Sequence, residues 1–243
     1  MLLSVVVPVR NEGDTIVTLL ERLRAVECGI PKEIIVVDGA STDGTREALH
    51  GLSSWPELVL VFEDQPRGKG RAVRTGFEQA TGDILMVQDA DLELDPSQIP
   101  MLLGPILNDG ASVVFGSRFK GRGRGDTRFM SYAGNKLLTW SANVLFVTHL
   151  TDILTCYKVV RADVARTLDL RCDGFDIDSE ITCRLLHGGH RIIELPVRYD
   201  PRTVDEGKKL TSGAGWSVMR AILRVRFSKA QVSADEVTLP VHP

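Results

Sequence analysis

Short runs of β-branched and aliphatic residues alternate with helical repeats along most of the chain. The runs are Ser4 to Val9, Glu33 to Val37, Leu58 to Phe62, Ile84 to Gln88, Ser112 to Phe115 and Arg191 to Leu195, each of strand length and bounded by polar or turn residues. Between the first two, Ile16, Leu19, Leu20, Leu23 and Val26 recur at helical spacing, and Asp14 stands where a capping side chain belongs. Asp43, Lys69 to Ala80, Ser97 to Leu107 and Ser179 to Leu186 mark further helix starts or bodies. Alternation of this kind predicts an α/β domain with a mostly parallel sheet flanked by helices.

Two stretches break the rhythm. Ser117 to Arg128 is glycine-rich and basic, and Thr203 to Gly215 mixes charges with three glycines; both read as loops, the usual carriers of function on such a scaffold. Periodicity fades after Ser228, so one domain over residues 1–227 and a disordered tail over 228–243 are expected.

Composition narrows the picture. The 243 residues are 43% hydrophobic and 25% charged, ordinary globular usage, and the formal net charge of −3 disfavours a nucleic-acid binder that relies on phosphate attraction. The apolar start, Met1 to Val9, lacks a basic flank and a small-residue cleavage site and reads as a first strand. The stretch Leu137 to Leu150 is interrupted by polar residues and falls short of the roughly 20 apolar residues a spanning helix needs. Four scattered cysteines, Cys28, Cys156, Cys172 and Cys183, form neither a zinc pattern nor a disulfide framework. A cytoplasmic address is therefore expected.

Ligands of open parallel sheets bind beyond the carboxyl ends of the strands. Three polar clusters lie there: Pro8 to Glu12, Asp38 to Asp43, and Asp89-Ala90-Asp91-Leu92-Glu93. Neither a dinucleotide fingerprint nor a Walker loop is present. Asp89 and Asp91, with Glu93 as a third oxygen donor, have the spacing to converge on a hard divalent cation, although capping the next helix is the commoner role of a lone D-x-D. Arg67-Gly68-Lys69-Gly70 reads either as a loop entering a helix or as a basic lid near phosphates, and Asp176 and Asp178 either as catalytic groups or as a cap for the helix that carries Glu180. Trp140 and Phe146 read as core or interface, and His187 and His190 as a solvated turn.

In this order and spacing the chain resembles the family-2 glycosyltransferases of GT-A (Rossmann-like) fold. The matching pieces are Val7-Pro8 with Asn11-Glu12, Val37-Asp38 with Ser41 and Asp43, Gly68-Lys69-Gly70, Gln88 to Glu93, Gly116 to Phe119, Asp152 with Thr155 to Lys158, Gly174-Phe175, Glu180, Glu194 to Pro196, and Arg202 with Glu206 and Lys208. Within the family the likeness is nearest to dolichyl-phosphate mannose synthases and bacterial polyprenyl-phosphate glycosyltransferases; the Gln-x-x-Arg-Trp pattern of polymerising members is absent.

That resemblance implies an inverting, metal-dependent transfer of one sugar from GDP-mannose or a UDP-hexose to a polyprenyl or dolichyl phosphate. Pro8, Arg10, Glu12, Asp38, Lys69, Asp89, Ala90, Arg202 and Lys208 would bind the donor. Asp89, Asp91 and Glu93 would hold Mg2+ or Mn2+, and Asp91, Arg202, Asp178 and Glu180 would serve catalysis. Ser117, Arg118 and Arg128 would bind the acceptor.

Three features carry the lipid-phosphate expectation. They are the acidity of a phosphate monoester, which removes the need for a strong base, the basic loop with Arg118, Lys120, Arg122, Arg124 and Arg128, and the segment Trp216 to Phe227. In that segment Trp216, Met219, Ile222 and Leu223 share one side, suited to a membrane interface or to packing on the sheet. A peripheral position at the inner membrane face, and a separate membrane-protein partner, follow from the same expectation. The alternatives are transfer to a soluble hydroxyl acceptor, with Asp178 or Glu180 as base, and a silent nucleotide-sugar binding module.

Overall fold

The computed structural model describes residues 1–120, 129–201 and 214–228. In chain order the elements are β1 (Leu3–Val9), α1 (Ile16–Ala25), β2 (Lys32–Asp38), α2 (Thr45–Gly51), β3 (Leu58–Phe62), α3 (Lys69–Gln79), β4 (Ile84–Val87), a 3-10 turn (Pro96–Gln98) running into α4 (Ile99–Asn108), β5 (Val113–Ser117), α5 (Phe129–Phe146), β6 (Lys158–Arg161), α6 (Ala162–Ala165), α7 (Ile177–His187), β7 (Ile193–Pro196) and α8 (Ala214–Arg226). The strands form one sheet in the order β3-β2-β1-β4-β6-β5-β7. All neighbours are parallel except β6, which runs antiparallel to both β4 and β5.

Both faces of this sheet are covered, which is why its central strands are mostly apolar on both sides. On one face Leu3, Val5, Val7 and Val9 of β1 pack with Ile16, Leu19, Leu20 and Leu23 of α1 and with Ile99, Leu102 and Leu103 of α4. On the other, Val6, Ile35 and Val37 meet Ala72 and Val73 of α3 and Ile177, Ile181 and Leu185 of α7. Outside α7 lies a further layer in which Leu138 and Ala142 of α5 cluster with Val218, Ile222 and Val225 of α8 and with Cys183.

The structure differs from the sequence expectation at four elements. Strand β6 is only Lys-Val-Val-Arg, too short and too charged at its ends to signal a strand, yet its two valines are buried between β4 and β5. The stretch containing Leu137 to Phe146 is the body of a helix; among the described residues no helix is long and apolar enough to cross a membrane. Asp14 does not cap α1: Thr15 occupies that position, and its hydroxyl donates to the carbonyl of Ala90 at 2.9 Å, joining the helix start to the turn after β4. The α8 stripe packs on α5 and α7 rather than on the sheet: Ile222 is buried, while Trp216 is 78% exposed. Trp140 lies 63% exposed on α5, not in the core. The tail proposed for 228–243 lies, from residue 229 on, outside the described residues.

Candidate active site

Going from β1 the chain builds β2 and β3 on one side and then crosses to place β4 on the other, so the sheet has its switch point between β1 and β4. In open sheets, ligands bind beyond the carboxyl ends at such a point. The loops after β1 and β2 are stitched to one another: the Asn11 amide donates to the Ser41 hydroxyl at 2.9 Å, Glu12 N–H to Thr45 Oγ1 at 3.0 Å, Gly13 N–H to Asp43 Oδ2 at 3.1 Å, and Thr42 N–H to Asn11 Oδ1 at 2.8 Å. Asn11 and Ala40 adopt left-handed backbone (φ 52° and 58°), the bends that bring the two loops together. Asp38, the last residue of β2, is fully buried; Ser41 N–H and Arg46 Nε donate to its carboxylate. Beside it, burial raises the Glu63 carboxyl above its ordinary value despite Arg67 and Arg71.

The turn after β4 is fixed from beneath. Gln88, buried, donates to the carbonyls of Asp89 and Leu94, and its own carbonyl accepts from the Tyr157 hydroxyl at 2.7 Å. Leu92 is left-handed (φ 62°), turning the chain between Asp91 and Glu93. Asp91 Oδ1 accepts from Glu93 N–H at 3.1 Å, and Glu93 Oε2 accepts from the Tyr199 hydroxyl at 2.9 Å. Asp200 N–H donates to the Glu93 carbonyl, so the chain enters the segment that carries Arg202 and Lys208 from the edge of this turn.

Lys69 is the residue whose place the sequence did not foretell. It opens α3, and its ammonium lies inside the site, 2.8 Å from Asp89 Oδ1 and 2.9 Å from Asp178 Oδ2. The other oxygen of Asp178 lies 3.5 Å from Lys158 Nζ, which also donates to the carbonyl of Thr155. Because β6 is antiparallel, its first residue, Lys158, stands at the same edge as the last residues of β4 and β5. Burial alone would depress the Lys69 ammonium, but Asp178 and Asp89 hold it well above the ordinary lysine value. For Lys158 burial wins, and its pKa lies below that value, in keeping with its longer contact to Asp178. Burial would raise the Asp178 carboxyl; Lys69 and Lys158 keep it low.

The glycines around Lys69 are there for contact. A Cβ on Gly68 would stand 2.3 Å from the Asp173 carbonyl oxygen, and one on Gly70 2.3 Å from that of Cys172. Gly70 N–H donates to Asp173 O at 2.8 Å. This close approach seats α3 on the strand of chain that leads into α7, and so brings Lys69 to Asp178. The stretch is a loop entering a helix, and its lysine is an inner ion-pair partner rather than a lid.

Other expected site residues are committed to the framework. Arg118 forms a bidentate pair with Asp152, Nε to Oδ2 at 2.7 Å and Nη2 to Oδ1 at 2.8 Å, and Asn135 donates to the same carboxylate at 3.1 Å. Burial works against both charges, but the pairing raises the Arg118 pKa and lowers that of Asp152. Ser117 shares a hydrogen bond with Thr151. Glu180 is fully buried and accepts the N–H groups of Arg171 and Cys172 at 2.8 and 2.7 Å, a backbone-holding role. Pro8 pairs with Val37 inside the sheet, and Arg10 is exposed beyond it. Arg128, Arg202 and Lys208 lie outside the described residues, as do residues 121–128 of the basic loop and 203–213 of the glycine-containing one.

Asp89, Asp91 and Glu93 do not form a closed metal cage: among the described residues no three His, Cys, Asp or Glu side chains gather to hold an ion. Lys69 engages Asp89 and Tyr199 engages Glu93. A carboxylate such as Asp91 at a strand end nevertheless fits a cation that takes one or two protein oxygens and completes its shell with phosphate oxygens and water.

A mixed sheet in this order, with carboxylates gathered beyond β1, β2 and β4, is the GT-A architecture of sugar-transferring enzymes. The chain belongs to Glycosyl transferase family 2, whose model matches residues 4–168. It is 30% identical over 215 residues to the dolichol-phosphate mannosyltransferase of Pyrococcus furiosus, covering 86% of this chain and 59% of that protein, so the chain spans little more than half of that relative. It is equally 30% identical to the undecaprenyl-phosphate mannosyltransferase of Micrococcus luteus, covering 84% of this chain and 85% of that one. Among solved structures, glucosyl-3-phosphoglycerate synthase from Mycobacterium tuberculosis, in complex with Mn2+, UDP and phosphoglyceric acid, superposes with a TM-score of 0.71 at 21% identity, covering 94% of this chain and 80% of that one.

These findings correct the acceptor expected from sequence. The placement nearest to dolichyl-phosphate mannose synthases does not stand beyond the family, because the same fold is solved for a synthase in complex with Mn2+, UDP and phosphoglyceric acid. Of the features that carried a lipid phosphate, Arg118 is paired with Asp152, and Val218, Ile222 and Val225 of α8 pack on α5 and α7, while Trp216 stays exposed. A polyprenyl or dolichyl phosphate acceptor, a membrane surface and a membrane-protein partner are therefore withdrawn.

Proposed function

We propose that the enzyme transfers one sugar from a nucleoside-diphosphate sugar to a hydroxyl group of a small soluble acceptor, assisted by Mn2+ or Mg2+. The observation that carries the reading is that the ends of β2 and β4, with Asp38 and the Gln88-braced Asp89–Asp91 turn, flank β1 at one carboxyl edge beside the sheet's switch point. Asp38 and the Pro8–Glu12 loop are assigned the nucleoside, and Asp91, with Asp89 beside it, the metal and diphosphate. Arg202 and Lys208 are assigned to the diphosphate from the segment that follows Asp200. When bound, the metal supplies charge stabilisation to the departing diphosphate.

The acceptor oxygen forms a bond to the anomeric carbon as that carbon's bond to the diphosphate oxygen breaks in line, which inverts the centre. The electron pair leaves with the diphosphate, and the hydroxyl proton goes to solvent. The protein's share is position and a preorganised field. Glu180 is not assigned as base, because its carboxylate is buried on two backbone amides. A soluble acceptor is supported by the structurally similar synthase that holds phosphoglyceric acid.

The test is to incubate the protein with UDP-glucose, UDP-galactose and GDP-mannose, with Mn2+ or Mg2+, against phosphorylated and unphosphorylated hydroxy acids and simple sugars. A water-soluble glycoside formed only with metal and one donor class is expected. Donor left intact with every acceptor would overturn the reading.

A further inference from the structure

The chain Asp89–Lys69–Asp178–Lys158 is a row of alternating charges that balances to zero, and it reaches from the turn after β4, past the starts of α3 and α7, to the start of β6. Lys69 is 11% exposed, Asp178 8% and Lys158 1%. Asp89, at 27%, is the most exposed of the four. Asp178 comes from the first turn of α7, Lys69 from the first turn of α3 and Lys158 from the start of β6, so three separately anchored elements fix the direction in which Asp89 is pulled.

Each anchor is itself hydrogen-bonded to a second element or loop. Gly70 N–H holds Asp173 O, the Lys158 ammonium is tied back to Thr155, and Thr182 Oγ1 bridges the carbonyls of Asp178 and Ile153. Both Asp178 oxygens are taken by lysines, which leaves it unsuited to face an acceptor hydroxyl.

We infer that Asp178 and Lys69 are positioning residues: Asp178, itself held by Lys158, sets the Lys69 ammonium, and Lys69 fixes the Asp89 carboxylate and with it the turn that receives the metal and diphosphate. This rests on the transferase reading above. The consequence is that Asp178 acts on donor binding and not as a general base.

Neutralising Asp178 therefore loosens the donor site while leaving the chemical step in bound substrate largely intact. Asp178→Asn leaves the buried Lys158 ammonium without a carboxylate and Lys69 with Asp89 alone, and can fail to fold. The pair Asp178→Asn with Lys158→Met removes one charge of each sign and keeps Lys69 on Asp89, and Lys69→Arg retains the positive charge while Lys69→Met removes it.

The experiment measures initial rates against donor concentration and, separately, the affinity of Mn2+ with UDP and with GDP by calorimetry, for the full chain and these variants. For Lys69→Met and the charge-balanced pair, donor KM and nucleotide–Mn2+ Kd are expected to rise together by about tenfold or more, near 1.4 kcal/mol per decade, with kcat within about threefold. Lys69→Arg is expected to recover most of the lost affinity. Unchanged nucleotide–Mn2+ affinity in both variants, or a collapse of kcat at unaltered KM in the charge-balanced pair, would overturn the proposal. A wild-type protein that binds nucleotide and Mn2+ but moves no sugar would instead sink the transferase reading, while the calorimetric comparison would still decide the positioning role.

Discussion

Arg118 and Asp152 show how far a residue's function departs from its type. Read along the chain, Arg118 begins a basic loop; in space its guanidinium is buried on a carboxylate supplied from beyond α5, with Asn135 completing the shell. Breaking such a pair leaves one buried charge uncompensated. Asp152→Ala is expected to cost about 3–5 kcal/mol, whereas Arg118→Met with Asp152→Leu should come close to neutral; urea unfolding midpoints of the two variants check this. The same carboxyl gives the molecule an acid limit. Its folded pKa lies below the unfolded one because Arg118 outweighs burial, so its contribution is complete above the unfolded value of about 3.9 and is lost as pH falls through the folded value. Unfolding free energy should fall with pH in that acid range in the wild type and lose this component in the double variant. Asp91 is the residue on which the proposed catalysis turns. Asp91→Asn is expected to slow turnover roughly a thousandfold, about 4 kcal/mol of leaving-group stabilisation, and near-normal turnover in chelator-treated buffer with restored Mn2+ would count against its role.

At the scale of elements, the fit of α3 against the chain entering α7 is what converts sequence-distant residues into a site. Gly68 sits at φ 97°, ψ 163°, a conformation open in practice to glycine alone, and an added Cβ there would strike the Asp173 carbonyl. Gly68→Ala is therefore expected to destabilise by about 2 kcal/mol or more and to displace Lys69, which thermal unfolding and donor KM would report together. Here too lies the boundary of what the sequence discloses. Six of the strands declared themselves because each is an apolar run with polar ends, and Asp38, Asp89 and Asp91 stood out because they follow such runs directly. Strand β6 did not, because a four-residue antiparallel insertion has no periodicity of its own to show. The Lys69–Asp178 contact spans 109 positions and the Arg118–Asp152 pair 34, and no local pattern records either. The Gly-Lys-Gly triplet was the one trace of the first, since glycines flanking a charged residue at a helix start signal close backbone approach.

For the whole molecule, the site lies between loops fastened to both faces of the sheet, so ligand binding and global stability are linked. The loops after β1 and β2 bond to one another, Thr15 joins α1 to the turn after β4, and Gln88 ties that turn to Tyr157 beside β6. A nucleoside diphosphate that bridges these loops binds the folded state and not the unfolded chain. At a hundred times its Kd it stabilises by about 2.7 kcal/mol, which for a chain of this size corresponds to a rise in Tm of roughly 5–10 °C. The donor oxygens at the turn do not close a metal cage unaided, so the metal and the diphosphate should each complete the other's site. Mn2+ alone is therefore expected to shift Tm little, the nucleotide alone modestly, and the two together by more than the sum of their separate shifts, with the excess abolished by chelator and by Asp91→Asn. A scan of Tm over nucleotide concentration with and without Mn2+ measures this coupling. Strictly additive shifts would mean that metal and diphosphate bind apart, and would move the metal away from the turn after β4.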